Sequence, residues 1–383
     1  MDNLTHSLVG LAAAKAGLER LSPGATVACV LAANAPDLDI LAVLGGKWFY
    51  LHNHRGITHS IVGTLALALL IPCLFYAVDW LIARIRKRPL RVKFLGLIIA
   101  SVIVSASHPL MDWTNNYGVR PLLPWSGEWF YGDLVFIIDP WLWLTVGGAA
   151  FLLTSKEKLQ TVFWATLALV LTGLVLFARL ENWGLQHPNL FRTLWIAGIT
   201  ALVVVRLTRI LQPFGSRVAL VALALVVVYW GGLALAHRAA LSQAQTIAQK
   251  LSTQRGEALG RVAAMPVLAD PSRWLCVMDT DRATYRFMLS LTEGKDELTG
   301  EVARFEKPQG RDAVMVERAS HDERAQIFLD FARFPASRVE GDCLSELLVQ
   351  FADIRYTDPG PSHRGTFSLE VPVTCDAGME IKK

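Results

Sequence analysis

Residues 94–113 read Phe94-Leu-Gly-Leu-Ile-Ile-Ala-Ser-Val-Ile-Val-Ser-Ala-Ser-His108-Pro-Leu-Met-Asp112-Trp113. The stretch is long and apolar enough to cross the roughly 30 Å hydrocarbon core of a bilayer as one helix. It ends in a histidine and a carboxylate four residues apart, which places both on one helical face. Ionisable groups are expensive inside a membrane segment, so they mark function by default.

The same reading extends along the chain. Ser60–Ile85, Thr161–Ala178, Leu190–Leu211 and Arg217–His237 are further long apolar runs, and Pro140–Leu153 is a shorter uncharged one. Leu4–Leu18 and Ala25–Ala35 are too short to span comfortably and read as half-membrane or interfacial helices. The expected fold is therefore an all-α polytopic membrane domain. It has about six transmembrane helices plus two short N-terminal half-helices, over residues 1–238. A soluble α+β domain follows over residues 239–383. Charge divides at the same place. Residues 1–239 hold 19 Lys and Arg against 11 Asp and Glu, and residues 240–383 hold 18 against 22. With 53% hydrophobic residues and a net charge of only +4, the chain is neither disordered nor a nucleic-acid-coating protein.

In the tail, Ala239–Ala264 reads as a polar helical stretch. Arg273–Met278, Thr284–Leu291, Gln326–Phe331, Leu347–Tyr356 and Gly365–Val373 read as strands. The five cysteines define no framework. Cys29 and Cys73 read as small core residues, and one disulfide can form among Cys276, Cys343 and Cys375. No basic region precedes the first apolar stretch, so no cleavable signal peptide is expected.

Five of the nine histidines fall in the first 108 residues, in four short clusters. These are Met1-Asp-Asn-Leu-Thr-His6, Pro36-Asp37-Leu-Asp39, His52-Asn-His54-Arg55-Gly-Ile-Thr58-His59-Ser60 and His108-Pro-Leu-Met-Asp112-Trp-Thr-Asn115. If 84–93 is the cytoplasmic loop, helix counting brings all four clusters to the outer level of the membrane. Imidazole and carboxylate without thiolate form a ligand set for a hydrolytic metal site, with zinc first and harder divalent metals next. Asp37 and Asp39 could bridge two ions, and a two-metal site suits phosphoryl displacement. Arg55 could hold a substrate phosphate with both prongs of its guanidinium. Asp39, His54 and Arg55 are the catalytic candidates. His6, Asp37, His59, His108 and Asp112 are the metal candidates, for one or two ions.

Taken together, these motifs resemble the YdjM/YbcI family of membrane-bound metal-dependent hydrolases. Asn116-Tyr-Gly-Val-Arg120, Trp129-Phe-Tyr-Gly-Asp133 and Ile138-Asp139-Pro-Trp141 extend the resemblance, which covers residues 1 to about 240. That family is similar in turn to zinc-dependent phospholipase C and the S1/P1 nucleases. The resemblance implies metal binding by the five residues named and hydrolysis of a phosphoester, either a phospholipid or a lipid-linked phosphate. It also implies a bacterial inner membrane as the location. The second His-x-x-x-Asp/Glu pair of the soluble enzymes is absent, because His187 is followed by Phe191 and His237 by Leu241. Two other readings stand beside it: a metal or proton transporter that uses the same His/Asp cluster, and a non-catalytic envelope scaffold in which the tail does the work and the histidines are dispensable.

The basic loops set the expected topology. The loop Arg84–Lys93 carries six basic residues and no acid, and 206–217 carries Arg206, Arg209 and Arg217 with none. Cytoplasmic loops are the basic ones, so residues 239–383 are expected outside the cytoplasm. Alkaline phosphatase fused after Lys383 should be active and a fluorescent protein fused there dark. The opposite pattern would invert the orientation.

Overall fold

The computed structural model describes residues 1–293, 301–341, 347–361, 365 and 367–374. They form two compact units. One comprises Met1–Asp39, Arg55–His237 and Met265–Arg273; the other comprises Ile40–His54, Arg238–Ala264 and the chain from Trp274.

The first unit is helical. α1 (Asn3–Ala16) starts at Asp2, whose carboxylate accepts from the Thr5 backbone N–H at 2.9 Å. Such a cap satisfies an amide left unpaired at the helix start. α1 packs on α2 (Ala25–Asn34) through small residues: Ala12, Ala14, Ala28, Ala32 and Ala33 are all buried. A Cβ on Gly10 would stand 2.8 Å from the Cys29 carbonyl oxygen, so only glycine allows this approach. In lipid, close packing of small residues replaces the missing hydrophobic drive between helices.

Beyond α2 the chain does not stop. It runs on as 3₁₀ turns over Ala35–Gly45, then α3 (Lys47–Asn53). Taken with these turns, Ala25–Gly45 is long and apolar enough to cross a membrane by length and composition. Five more helices meet that standard: α4 (Ile61–Ile85), α5 (Phe94–Trp113), α7 (Lys158–Phe177), α8 (Pro188–Thr208) and α9 (Ser216–Arg255). The expected number of spans stands, but α6 (Pro140–Thr154) is a shorter apolar helix rather than one of the six. The turn between α1 and α2 shares one end of this unit with two basic loops. Ser22 Oγ accepts from the Lys93 backbone N–H at 2.9 Å, and Arg20 donates to Ser216 Oγ at 3.3 Å. Asp79 fastens the 84–93 loop by accepting from Arg88 and from the backbone of Arg91 and Val92. Cys73 is exposed on α4 rather than in the core, whereas Cys29 is buried as expected.

The second unit is α+β. α9 is continuous for 40 residues and joins the apolar run Arg217–His237 to the first part of the polar helical stretch expected from Ala239. It ends at Gly256, whose φ of +63° is the left-handed turn that closes helices. The chain then enters β1 (Leu259–Val267), not the helical stretch expected up to Ala264. β2 (Asp270–Thr280), β3 (Ala283–Ser290) and β4 (Ala303–Glu306) complete a sheet of order β1-β2-β3-β4. α10 (Arg311–Ser320) and α11 (Glu323–Phe331) follow. The Gln326–Phe331 run is thus helical: Asp322 caps it by accepting from the Arg324 backbone N–H at 2.9 Å. β5 (Pro335–Gly341), β6 (Leu347–Asp353) and β7 (Ser368–Val373) form an antiparallel second sheet, with Val349 paired to both Val339 and Val371. Cys276 is buried as a free thiol, and Cys343, Cys375 and His363 lie outside the described residues.

Glu257 ties this unit together. It accepts from Thr280 and Tyr285 hydroxyls at 2.8 Å each and from Arg304 at 2.9 Å. Burial pushes its carboxyl upward, but the hydrogen bonds from Thr280, Arg304 and Tyr285 outweigh that and hold it below the usual range. A depressed pKa in the folded state adds stability above the unfolded value of about 4.3, and this is lost as pH falls. Glu257→Gln should therefore lower the apparent melting temperature of the full chain at pH 7 and flatten its decline toward acid. An unchanged acid limb would remove this role.

Candidate metal centre

Four segments converge at the end of the membrane unit marked by the C-terminus of α5. His108 and Asp112 project from its last turns. His108 is fixed by its Nδ1, which lies 2.6 Å from the Ala33 carbonyl oxygen at the end of α2. That contact assigns the proton to Nδ1 and turns the Nε2 lone pair inward. His59 sits on the tight turn Ile57–His59, immediately before Ser60 caps α4 by accepting from the Gly63 backbone N–H. A Cβ on Gly63 would fall 1.8 Å from the Ile57 carbonyl oxygen, so the turn can lie against α4 only because residue 63 has no side chain. His59 Nδ1 is held by Thr58 Oγ1 at 3.1 Å and Asp39 at 3.3 Å, which again leaves Nε2 facing inward. Asp37 arrives on the 3₁₀ turns after α2 and accepts from Asn3 at 2.9 Å.

The inward atoms are close. His59 Nε2 and His108 Nε2 are 3.1 Å apart. Asp37 Oδ1 lies 3.4 Å from His59 and 3.5 Å from His108, and Asp112 Oδ2 lies 3.3 and 3.6 Å from the same nitrogens. Two imidazole lone pairs and two carboxylate oxygens thus face one another, a donor set that could hold a metal ion. The side chains of His59, His108 and Asp112 are 0–1% exposed and that of Asp37 14%, so the cluster is open on the Asp37 side.

The other oxygen of Asp112 faces a separate set of groups. His6 Nε2 is 3.3 Å from Oδ1, its ring is stacked on His108 with centroids 3.7 Å apart, and its buried Nδ1 has no partner. The Met1 amino group also bonds Oδ1. Arg55, 2% exposed, pairs with Asp112 through Nε at 3.1 Å and Nη2 at 3.2 Å. Its Nη1 donates to Asn115 Oδ1 and the Gly118 carbonyl at 2.9 and 3.1 Å. Asp39 accepts from the Arg55 backbone N–H at 2.8 Å.

The structure therefore brings His6, Asp37, Asp39, Arg55, His59, His108 and Asp112 together. His54 belongs to the second compact unit, where it ends α3 and stacks on Tyr50 at 4.8 Å. Asn3, the Met1 amino group and the Ala33 carbonyl were not anticipated. Asn3 had one available signal, because it lies in the same motif as His6. Backbone groups offer none.

Residues 1–183 match the model of the YdjM inner membrane protein family. The matched segment contains all the residues of the cluster, and with the six apolar helices it supports a multi-pass inner-membrane protein. A Bacillus subtilis (strain 168) protein described as "Uncharacterized protein YfhP" is 28% identical over 155 residues, which is 38% of this chain. The chain spans 44% of that relative's length. No solved structure matches. The YdjM description names a membrane protein and no reaction.

Arg55 is bound into the cluster as a structural cation. Its guanidinium offsets the buried charge of Asp112, and removing one partner of a buried pair costs about 3–5 kcal/mol. Arg55→Ala should lower thermal stability strongly in detergent, and Arg55→Lys should recover only part of it. Full stability in Arg55→Ala would free Arg55 for the phosphate contact expected from sequence.

Proposed function

We propose that residues 1–238 form a membrane-embedded, zinc-dependent hydrolase of a phosphoester, carrying residues 239–383 as an extracytoplasmic domain. The observation that carries this reading is the shape of the donor cluster. Ligands about 2.0–2.1 Å from a tetrahedral zinc lie about 3.3–3.4 Å from one another. The five distances among His59, His108, Asp37 and Asp112 fall between 3.1 and 3.6 Å. Two imidazole nitrogens at 3.1 Å either share a proton or flank a cation, and two carboxylate oxygens at similar spacing make the set fit an ion. Two imidazoles and two carboxylates suit zinc better than magnesium or calcium, which favour all-oxygen shells.

When bound, the metal would supply Lewis acidity and acidify a water for attack on phosphorus. The chain's own residues prepare that chemistry. Ala33 and Asp39 orient the two imidazoles from behind, the arrangement by which outer partners fix a ligand. Arg55 and the Met1 amino group keep Asp112 in place, so Asp39 and Arg55 act here as positioning residues. Asp37 forms the open edge, where a substrate would enter. Because the cluster lies at helix ends, a lipid headgroup could reach it without leaving the bilayer. The likeness to zinc-dependent phospholipase C belongs to this proposal. Transport fits less well, since a carrier places its ionisable groups near the midplane.

The test is metal analysis of the purified full chain beside a phosphodiester assay. Wild type should hold about one zinc per chain at this site. Asp112→Asn and His108→Ala should lose it while inserting normally, since a helix in lipid satisfies its own backbone. Asp39→Asn should weaken zinc binding about 10–100-fold, as outer partners do. Hydrolysis of nitrophenyl-phosphocholine should stop with chelator and return with zinc. A wild-type chain that takes up no divalent metal would overturn the proposal.

A further inference from the structure

Two cavities meet at Arg206, at the basic end of the membrane unit, and the larger one extends from there as far as Trp143. The first, about 270 Å³, is walled by apolar side chains of α6, α7 and α8, among them Trp143, Phe151, Trp164, Ala168 and Leu202. Arg206 is its charged lining residue. The second, about 150 Å³, is lined by Lys156, Arg206 and Arg209 together with Gln212 and apolar residues. Neither lining includes a carboxylate. The nearby Glu157 is engaged in capping α7 together with Gln160. Ser155 tethers the Arg206 guanidinium at the junction, with Nε donating to Ser155 Oγ at 2.8 Å and Nη2 to its carbonyl.

The dimensions match one lipid chain. Thr161 and Leu171 of α7 both line the apolar cavity. Ten residues of helix rise about 15 Å, which is half of the roughly 30 Å hydrocarbon core and so the depth of one leaflet. An apolar slot one leaflet deep that opens onto three cations has the chemistry of an anionic phospholipid. A zwitterionic headgroup would bring an ammonium with no carboxylate to receive it. Free phosphate would leave the apolar slot unfilled.

We propose that this paired cavity binds one anionic phospholipid of the leaflet on the basic side. Its acyl chain lies between α6, α7 and α8, and its phosphate lies among Lys156, Arg206 and Arg209. The site is separate from the metal cluster and does not depend on the hydrolase reading. Basic pockets between membrane helices are known to take such headgroups.

Native mass spectrometry of the full chain in detergent, with phosphatidylglycerol or phosphatidylcholine added, tests this. Wild type should retain phosphatidylglycerol in preference to phosphatidylcholine, with inorganic phosphate at millimolar concentration failing to displace it. Lys156→Gln with Arg209→Gln leaves the Arg206–Ser155 tether intact. It should reduce that preference by roughly fivefold for each cation removed. Ala168→Phe fills the apolar slot and should reduce retention of both lipids. Equal retention of the two lipids by wild type would overturn the proposal, whatever the variants do. So would displacement by inorganic phosphate, or a preference unchanged in the double variant.

Discussion

Asp112 is 1% exposed at the end of a membrane helix, and a carboxylate buried without partners there costs several kcal/mol. The neighbourhood is organised around that cost. Oδ2 faces the imidazoles of His59 and His108. Oδ1 faces His6 and the Met1 amino group, and Arg55 clamps the carboxylate from the side. These partners come from the start of α1, the turn before α4 and the end of α5. One charge therefore fixes where three remote segments must meet, and Asp37 joins them through the same two histidines.

The meeting is possible because the helices behind it approach closely. Gly10 and the buried alanines bring α1 against α2. α2 in turn ends where the Ala33 carbonyl can hold His108. Packing of small residues, which carries no chemistry, is thus what sets the tautomer and direction of a candidate ligand. The metal proposal relies on this rear support as much as on the inward-facing atoms.

Much of this was legible in the sequence, for identifiable reasons. Apolar runs of bilayer length announce α4, α5, α7, α8 and the membrane part of α9. Histidines and aspartates stand out in such surroundings because solvation makes them rare there. The apolar run Ala25–Ala35 ends in the sequence where Pro36, Asp37 and Asp39 interrupt the α pattern, yet the chain continues in 3₁₀ turns that need no regular period. The helical expectation up to Ala264 is not met because Gly256 turns the chain, and Leu259-Gly-Arg-Val-Ala-Ala264 continues into the strand that ends at Val267. Gln326–Phe331 is too short for periodicity to separate strand from helix, and the Asp322 cap decides it. The catalytic expectation for Arg55 came from its residue type. Its commitments to Asp112, Asn115 and Gly118 are tertiary facts that no local pattern carries.

Gly63 offers no donor atom to the centre and lies on the far side of Ser60 from His59. Even so, the Ile57 carbonyl occupies the space that any side chain at residue 63 would need. A single methyl group there would push the turn away from α4 and carry the His59 ring out of register with His108. Damage to the centre can therefore arise from a change that leaves every donor in place. A survey of natural variants graded by loss of ligand chemistry would count Gly63→Ala as harmless, although it acts on the same imidazole as a substitution of His59.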